Sequence, residues 1–172
     1  MWWNWSRRGW REWRTGVFRG WFTFHDGVCV AKILTLGMLK PDAIHSGKAG
    51  AIIAHIQREG FVIRAARLAR LTEAQAAKFY EVHRGRPFYD DLVAFMTSGP
   101  VLPMALERED AVAVFRAVIG ATDPAEAAPG TIRKLYAESK GKNAVHGSDS
   151  PENGMREVAF FFPESEIAGL WA

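Results

Sequence analysis

Cysteine is almost missing from this chain: Cys29 is the only one in 172 residues. No internal disulfide is available, and a reducing compartment is the simple reading. Long apolar runs are missing too. No stretch of 18 or more apolar residues occurs, so no segment is expected to span a membrane. Neither G-x-x-x-x-G-K-[ST] nor G-x-G-x-x-G follows a strand-like run, and GKAG at 47–50 is too short to stand for either. Any nucleotide chemistry here proceeds without the two common glycine-rich phosphate cradles. Nor is there a second histidine or cysteine close to His146; His146-x-x-Asp149 alone is a poor metal-ligand set.

What is present is ordinary in amount and uneven in placement. Hydrophobic residues make up 48% and charged residues 24%, enough for one domain with a proper core. Residues 1–32 hold six of the seven tryptophans and a net charge of +4, against −1 for the remaining 140 residues. The basic balance therefore belongs to the N-terminal segment and gives no reason to expect nucleic-acid binding by the main domain. An interfacial Trp/Arg segment is one reading of 1–32. The segment is too polar and interrupted for a secretory leader. The favoured expectation is an atypical extension, disordered or translated from a start assigned too far upstream, ahead of a domain at 33–172.

From Ile33 the pattern is regular. ILTLGML reads as a buried strand ended by Lys40-Pro41-Asp42. GAIIAHIQREG places Ile52, Ile53 and Ile56 on one helical face before Gly60. FVIRAARLARL reads as a long strand. Thr72 and Gln75 form a capping box for a helix carrying Phe79 and Tyr80. FYDDLVAFM is a further helix, VLPMALE a strand and AVAVFRAVIG a helix. A long loop runs from Gly120 to Gly130, TIRKLYAES is a short helix, and VAFFF is a last buried strand. This order predicts an α+β fold: a ferredoxin-like βαββαβ sandwich, an antiparallel sheet with helices on its faces.

The candidate chemistry lies at element ends. Lys40 follows the first strand, Arg116 sits in an otherwise apolar helix, Thr122 lies in the long loop, and Arg133 follows Gly130-Thr131. Taken singly, each is a solvated charge or a capping hydroxyl. An arginine buried in an apolar helix would need an anionic partner. His146, in NAVHGSDS, could be a metal ligand, a general base or a nucleophile. A nucleophilic imidazole needs a fixed tautomer, and Glu157 is a candidate orienting group.

KPDA at 40–43, FYEVHRGRPFYDDLVAFMTSGPV at 79–101, GATDPAEAAPGTIR at 120–133 and NAVHGSDS at 143–150 together resemble the nucleoside diphosphate kinases. The similarity covers roughly residues 33–167. It implies transfer of the terminal phosphate of a nucleoside triphosphate, mainly ATP, to nucleoside diphosphates by a ping-pong route, with His146 becoming the phosphohistidine. It implies that Lys40, Arg116, Thr122 and Arg133 hold phosphates, that Phe88 stacks on the base, and that Asn143 binds near the ribose 3′-hydroxyl. Tyr80 would lie close to the histidine, and Ser148 and Glu157 would support it. It further implies Mg²⁺ carried mainly by the nucleotide phosphates rather than by protein side chains, a homotetramer or homohexamer, a cytoplasmic setting and no obligate nucleic-acid partner. Two stretches depart from the family pattern: Gly37 and Met38, expected to loosen the first strand's packing, and Gly154, expected to weaken a short helix.

Overall fold

The computed structural model describes residues 22–25, 28–163, 165 and 166, with side chains from residue 34 onward. Most of the Trp/Arg-rich segment lies outside the described residues. The elements in chain order are β1 (Phe22–His25), β2 (Val28–Leu39), α1 (Pro41–His45), α2 (Ala49–Arg58), β3 (Val62–Ala66), β4 (Ala69–Arg70), α3 (Glu73–Phe79), a 3-10 turn (Glu81–His83), α4 (Tyr89–Thr97), β5 (Pro100–Glu109), α5 (Ala111–Ile119), α6 (Ile132–Tyr136), β6 (Val145–Gly147) and α7 (Pro151–Phe161).

Strand β2 is the spine. It pairs antiparallel with β5 from Lys32↔Glu109 to Leu39↔Leu102, and with β6 at Gly37↔Gly147, Met38↔His146 and Leu39↔Val145. β3 adds antiparallel to the far side of β5. The order β3-β5-β2-β6 with all-antiparallel pairing is the ferredoxin-like sandwich that the element order predicts. The two-residue period of the strands divides the core. Leu34, Leu36 and Met38 of β2, with Val101 and Ala105 of β5, pack against Phe79, Tyr80, Val93, Met96, Val158 and Phe161 from α3, α4, α7 and the turn after α3. Leu39, Met104 and Leu106 face the other way, onto Ile52, Ile56, Phe115, Ile119 and Ile132 from α2, α5 and α6.

Two sequence expectations need correction. VAFFF is not a strand: Val158 to Phe161 form the end of α7, and Phe162 is its C-terminal cap. The Ser150 side chain accepts from Asn153 N and Pro151 opens the helix, a strong helix start. Val158, Phe161 and Phe162, at i, i+3 and i+4, are buried while Phe160 is 39% exposed. In so short an apolar run these spacings do not distinguish helix from strand. The last strand is instead the three-residue β6 around His146. The long strand expected over 61–71 is also divided into β3 and β4, with an irregularity between Ile63 and Ala65. The capping box is as predicted: Gln75 N donates to Thr72 Oγ1 and Thr72 N to Gln75 Oε1.

Gly37 does not loosen the sheet. A Cβ there would stand 2.6 Å from Leu106 Cδ1 and 2.9 Å from Phe115 Cζ, so the phenylalanine ring already fills that space. At Gly154 a Cβ would meet the Leu34 carbonyl oxygen at 2.9 Å, so the missing side chain lets α7 lie close on β2. Gly37→Val is therefore expected to overpack the core and cost about 1–3 kcal/mol. Urea unfolding at neutral pH checks this; an unchanged midpoint would contradict it.

Candidate active site

His146 owes its position to β6. Val145 is fully buried on the α2/α5 side, so the next residue turns to the opposite face. There its ring meets the edges of Phe79 and Tyr80, with centroids 5.3 and 6.0 Å apart. Its Nε2 lies 2.9 Å from Glu157 Oε2, on α7. The same oxygen accepts from Ser148 Oγ at 2.7 Å, and Ser148 Oγ in turn accepts from Leu36 N at 3.2 Å. A carboxylate only accepts, so Nε2 carries the proton and Nδ1 keeps its lone pair. Among the described residues nothing hydrogen-bonds Nδ1, and it is not among the occluded atoms.

Lys40 closes the same end of the sheet. It is buried, and its Nζ donates to Asn143 Oδ1 at 2.6 Å, while Asn143 Nδ2 donates to the Thr122 carbonyl at 3.2 Å. Burial, with Arg133 beside it, pushes the Lys40 ammonium down to about 8, against a smaller opposing pull from Asp42. Arg133 donates through Nη1 to Gly120 O and through Nη2 to Val145 O, both at 2.9 Å. Burial and the neighbouring Arg116 lower its pKa to about 10. Among the described residues its Nε is buried without a partner. So is the Tyr80 hydroxyl, held protonated well above its ordinary value by burial and by Glu157.

Arg116 departs from the buried arginine that its helix suggested: it is exposed on α5, in a depression of about 370 Å³ shared with Asp110, Val112 and Asp149. Asp149 is tied to Asn153 Nδ2 at 2.6 Å, a bond that holds its carboxyl below the usual range. Thr122 is exposed, and its described link to the cluster is its carbonyl. Phe88 is 51% exposed at the start of α4. Its ring stands 5.6 Å from His83, which stacks on Tyr80 at 6.3 Å, so a row of rings runs from the surface to His146. His83 is not among the candidate residues that the sequence singles out. Its signal was the spacing Tyr80-x-x-His83, which puts the two rings on one side of the turn after α3. Burial, Arg86 and His146 push the His83 imidazole down, favouring its neutral form.

An imidazole with one nitrogen buttressed and the other free, at the same end of the sheet as a lysine and two arginines that make no ion pair among the described residues, is built for a phosphate-rich ligand. The family model for nucleoside diphosphate kinase matches residues 34–167. The chain belongs to the nucleoside diphosphate kinase family. A nucleoside diphosphate kinase of Sorangium cellulosum is 58% identical over 134 residues, spanning 78% of this chain and 93% of the relative. Among solved structures, the nucleoside diphosphate kinase of Aquifex aeolicus aligns with TM-score 0.78 and 47% identity, over 80% of this chain and 99% of that one. A halophilic nucleoside diphosphate kinase from Halobacterium salinarum in complex with CDP aligns with TM-score 0.76 and 39% identity, over 79% and 91%. This nucleoside diphosphate kinase transfers the terminal phosphate of a nucleoside triphosphate to nucleoside diphosphates by ping-pong, with a divalent cation. Among the described residues no helix is long and apolar enough to cross a membrane.

Proposed function

We propose that His146 is the nucleophile and that Nδ1 is the atom that takes the phosphoryl group. The observation that carries this reading is the Nε2–Glu157 contact, with Ser148 on the same carboxylate oxygen. It fixes the tautomer whose free lone pair faces away from the carboxylate, and it balances the positive charge that grows on the ring as the N–P bond forms. Nδ1 attacks the terminal phosphorus, the bond to the bridging oxygen breaks, and the diphosphate leaves. A second diphosphate then attacks the phosphohistidine through its own terminal oxygen and restores the neutral ring.

The remaining roles follow from charge and geometry. Lys40, Arg116 and Arg133 carry the phosphates. The Tyr80 hydroxyl and Arg133 Nε are donors that no described protein atom satisfies, but both are occluded from the surface, so Arg133 acts on phosphate through its charge. Asn143 and the Thr122 loop bind on the ribose and phosphate side. Phe88 offers an exposed ring for stacking, which every base accepts, and His83 backs that ring. Glu157 and Asp149 are both occupied by protein donors, so the donor set fits Mg²⁺ held by the nucleotide phosphates and not by protein carboxylates. Such a cation screens the charge that develops on the transferring group. We place this kinase domain at residues 33–172, with 1–32 as an N-terminal extension whose last residues, from Val28, run into the domain as the start of β2, and propose a cytoplasmic homotetramer or homohexamer.

Incubation with γ-labelled ATP tests the central assignment. The expected label is acid-labile, alkali-stable and discharged by GDP; free phosphate without an acceptor, or no label, would overturn it. Arg116→Ala is expected to weaken ADP binding by about 1.5–3 kcal/mol, the worth of a charge-assisted bond; titration calorimetry reads this. The pH profile carries a further expectation. kcat/KM reports groups of the free enzyme, and Lys40 loses its proton at about 8. kcat/KM should therefore fall as pH rises beyond that value, and a plateau extending well into the alkaline range would remove Lys40 from phosphate binding.

A further inference from the structure

Between Asn143 and His146 the chain makes a turn that an alanine does not favour. Ala144 is fully buried with φ of 66°, and Val145 N donates to Asn143 O at 2.7 Å across it. A three-residue turn with positive φ at its centre is the strained form of the γ-turn. Both polar groups of Ala144 are clamped from the start of α1. Its carbonyl accepts from Lys40 N at 2.9 Å, and its N–H donates to Asp42 Oδ2, also at 2.9 Å. The residues flanking this turn are Asn143, whose amide oxygen meets Lys40 Nζ, and the β6 strand that carries His146.

We propose that Asp42 is a positioning residue for phosphoryl transfer, its carboxylate holding the Asn143–Val145 turn in the shape that seats Asn143 on Lys40 and carries His146 into register opposite Met38. This rests on the assignment of His146 as nucleophile and adds to it a residue that touches neither substrate nor the reacting atoms. Asp42 also acts through charge. The charged groups acting on Lys40 are Arg133 from α6 and Asp42 from α1, with Asn143 as a neutral hydrogen-bond partner; only Asp42 favours the ammonium. Its second oxygen, Oδ1, is buried without a partner among the described residues, so no protein donor there shares its charge.

Two variants of the full chain separate the two actions. Asp42→Asn retains an oxygen for the Ala144 N–H and removes the charge. It should fold, form the phosphoenzyme, and show the alkaline limb of kcat/KM displaced downward by roughly one pH unit. Asp42→Ala removes the clamp as well. It should slow single-turnover labelling by γ-labelled ATP on the order of tenfold to a hundredfold, the scale of a small misplacement of reacting groups, while KM changes much less than kcat. A wild-type pH profile in Asp42→Asn, or a wild-type labelling rate in folded Asp42→Ala, overturns the proposal. If Asp42→Ala does not fold, the Asp42→Asn profile decides alone. The parent reading fails separately: turnover in His146→Ala would sink it, whereas an inert His146→Ala beside wild-type behaviour in both Asp42 variants sinks only the role of Asp42.

Discussion

His146→Ala is expected to eliminate turnover and the labelled phosphoenzyme while leaving ADP binding in place. Removal of a covalent nucleophile costs on the order of 10⁴-fold or more in rate, because no neighbouring group inherits its bond. Here Glu157 cannot substitute. Its Oε2 is engaged by Ser148 as well as by the ring, and it stands behind the imidazole on the Nε2 side. Binding should survive because the cations proposed to meet the phosphates come from other elements: Lys40 from the end of β2, Arg116 from α5 and Arg133 from α6. Fold should survive because the ring's packing is limited to edge contacts with Phe79 and Tyr80, and Glu157 keeps its bond from Ser148 when the ring is removed. A coupled turnover assay, acid-quench labelling and ADP calorimetry on one preparation read all three quantities. Retained turnover would contradict the assignment, and loss of ADP affinity along with turnover would mean that the ring supports the site structurally.

Lys40→Met should lower kcat/KM by roughly 10²–10³, as expected for loss of a preorganised charge at a transferring phosphate. It should also change how stability depends on pH. The folded Lys40 pKa is lowered, from 10.5 to about 8, chiefly by burial. Below pH 8 both folded and unfolded wild-type chains hold the proton, and the fold carries the whole cost of burying the ammonium. Between pH 8 and 10.5 the folded chain sheds the proton while the unfolded chain keeps it, so stability rises with pH. The gap between 10.5 and about 8 corresponds to roughly 3 kcal/mol. The methionine variant has no such group. Wild type should therefore gain roughly 3 kcal/mol on the variant across that window. The unpartnered Asn143 oxygen left in the variant is uncharged and cancels from the comparison. Urea unfolding of the nucleotide-free proteins at both ends of the window reads the difference; a constant gap would show that Lys40 is not burdened by burial. On the proposed assignment, a cation kept at such a cost is stability given up for function.

Much of this was visible in the chain itself. The alternation Leu34-Leu36-Met38 against Gly37 and Leu39 is local, and so is the Thr72–Gln75 capping box; both survive unchanged in the fold. The candidate residues of the proposed site could be named from the chain because KPDA, RPF, GATD and NAVHGSDS are contiguous motifs. The misreadings share one cause. VAFFF is too short and too uniformly apolar to show its period, and its choice of helix depends on which residues find the β2 face. Arg116 was read from its apolar neighbours, although it lies on the solvent side of its helix. His83 and Asp42 left only faint marks, because each acts through residues on another part of the chain.

The sequence by itself determined the family, and with it the candidate groups for the chemistry. The tertiary structure alone decided which ring nitrogen is free, how the cations are charged, and why the turn before His146 holds its shape. Those outcomes depend on contacts between distant positions: Lys40 with Asn143, Asp42 with Ala144 and Leu36 with Ser148, each more than a hundred residues apart. A hydrogen bond or a desolvated charge is set by distance and dielectric in three dimensions, and neither leaves a periodic trace along the chain.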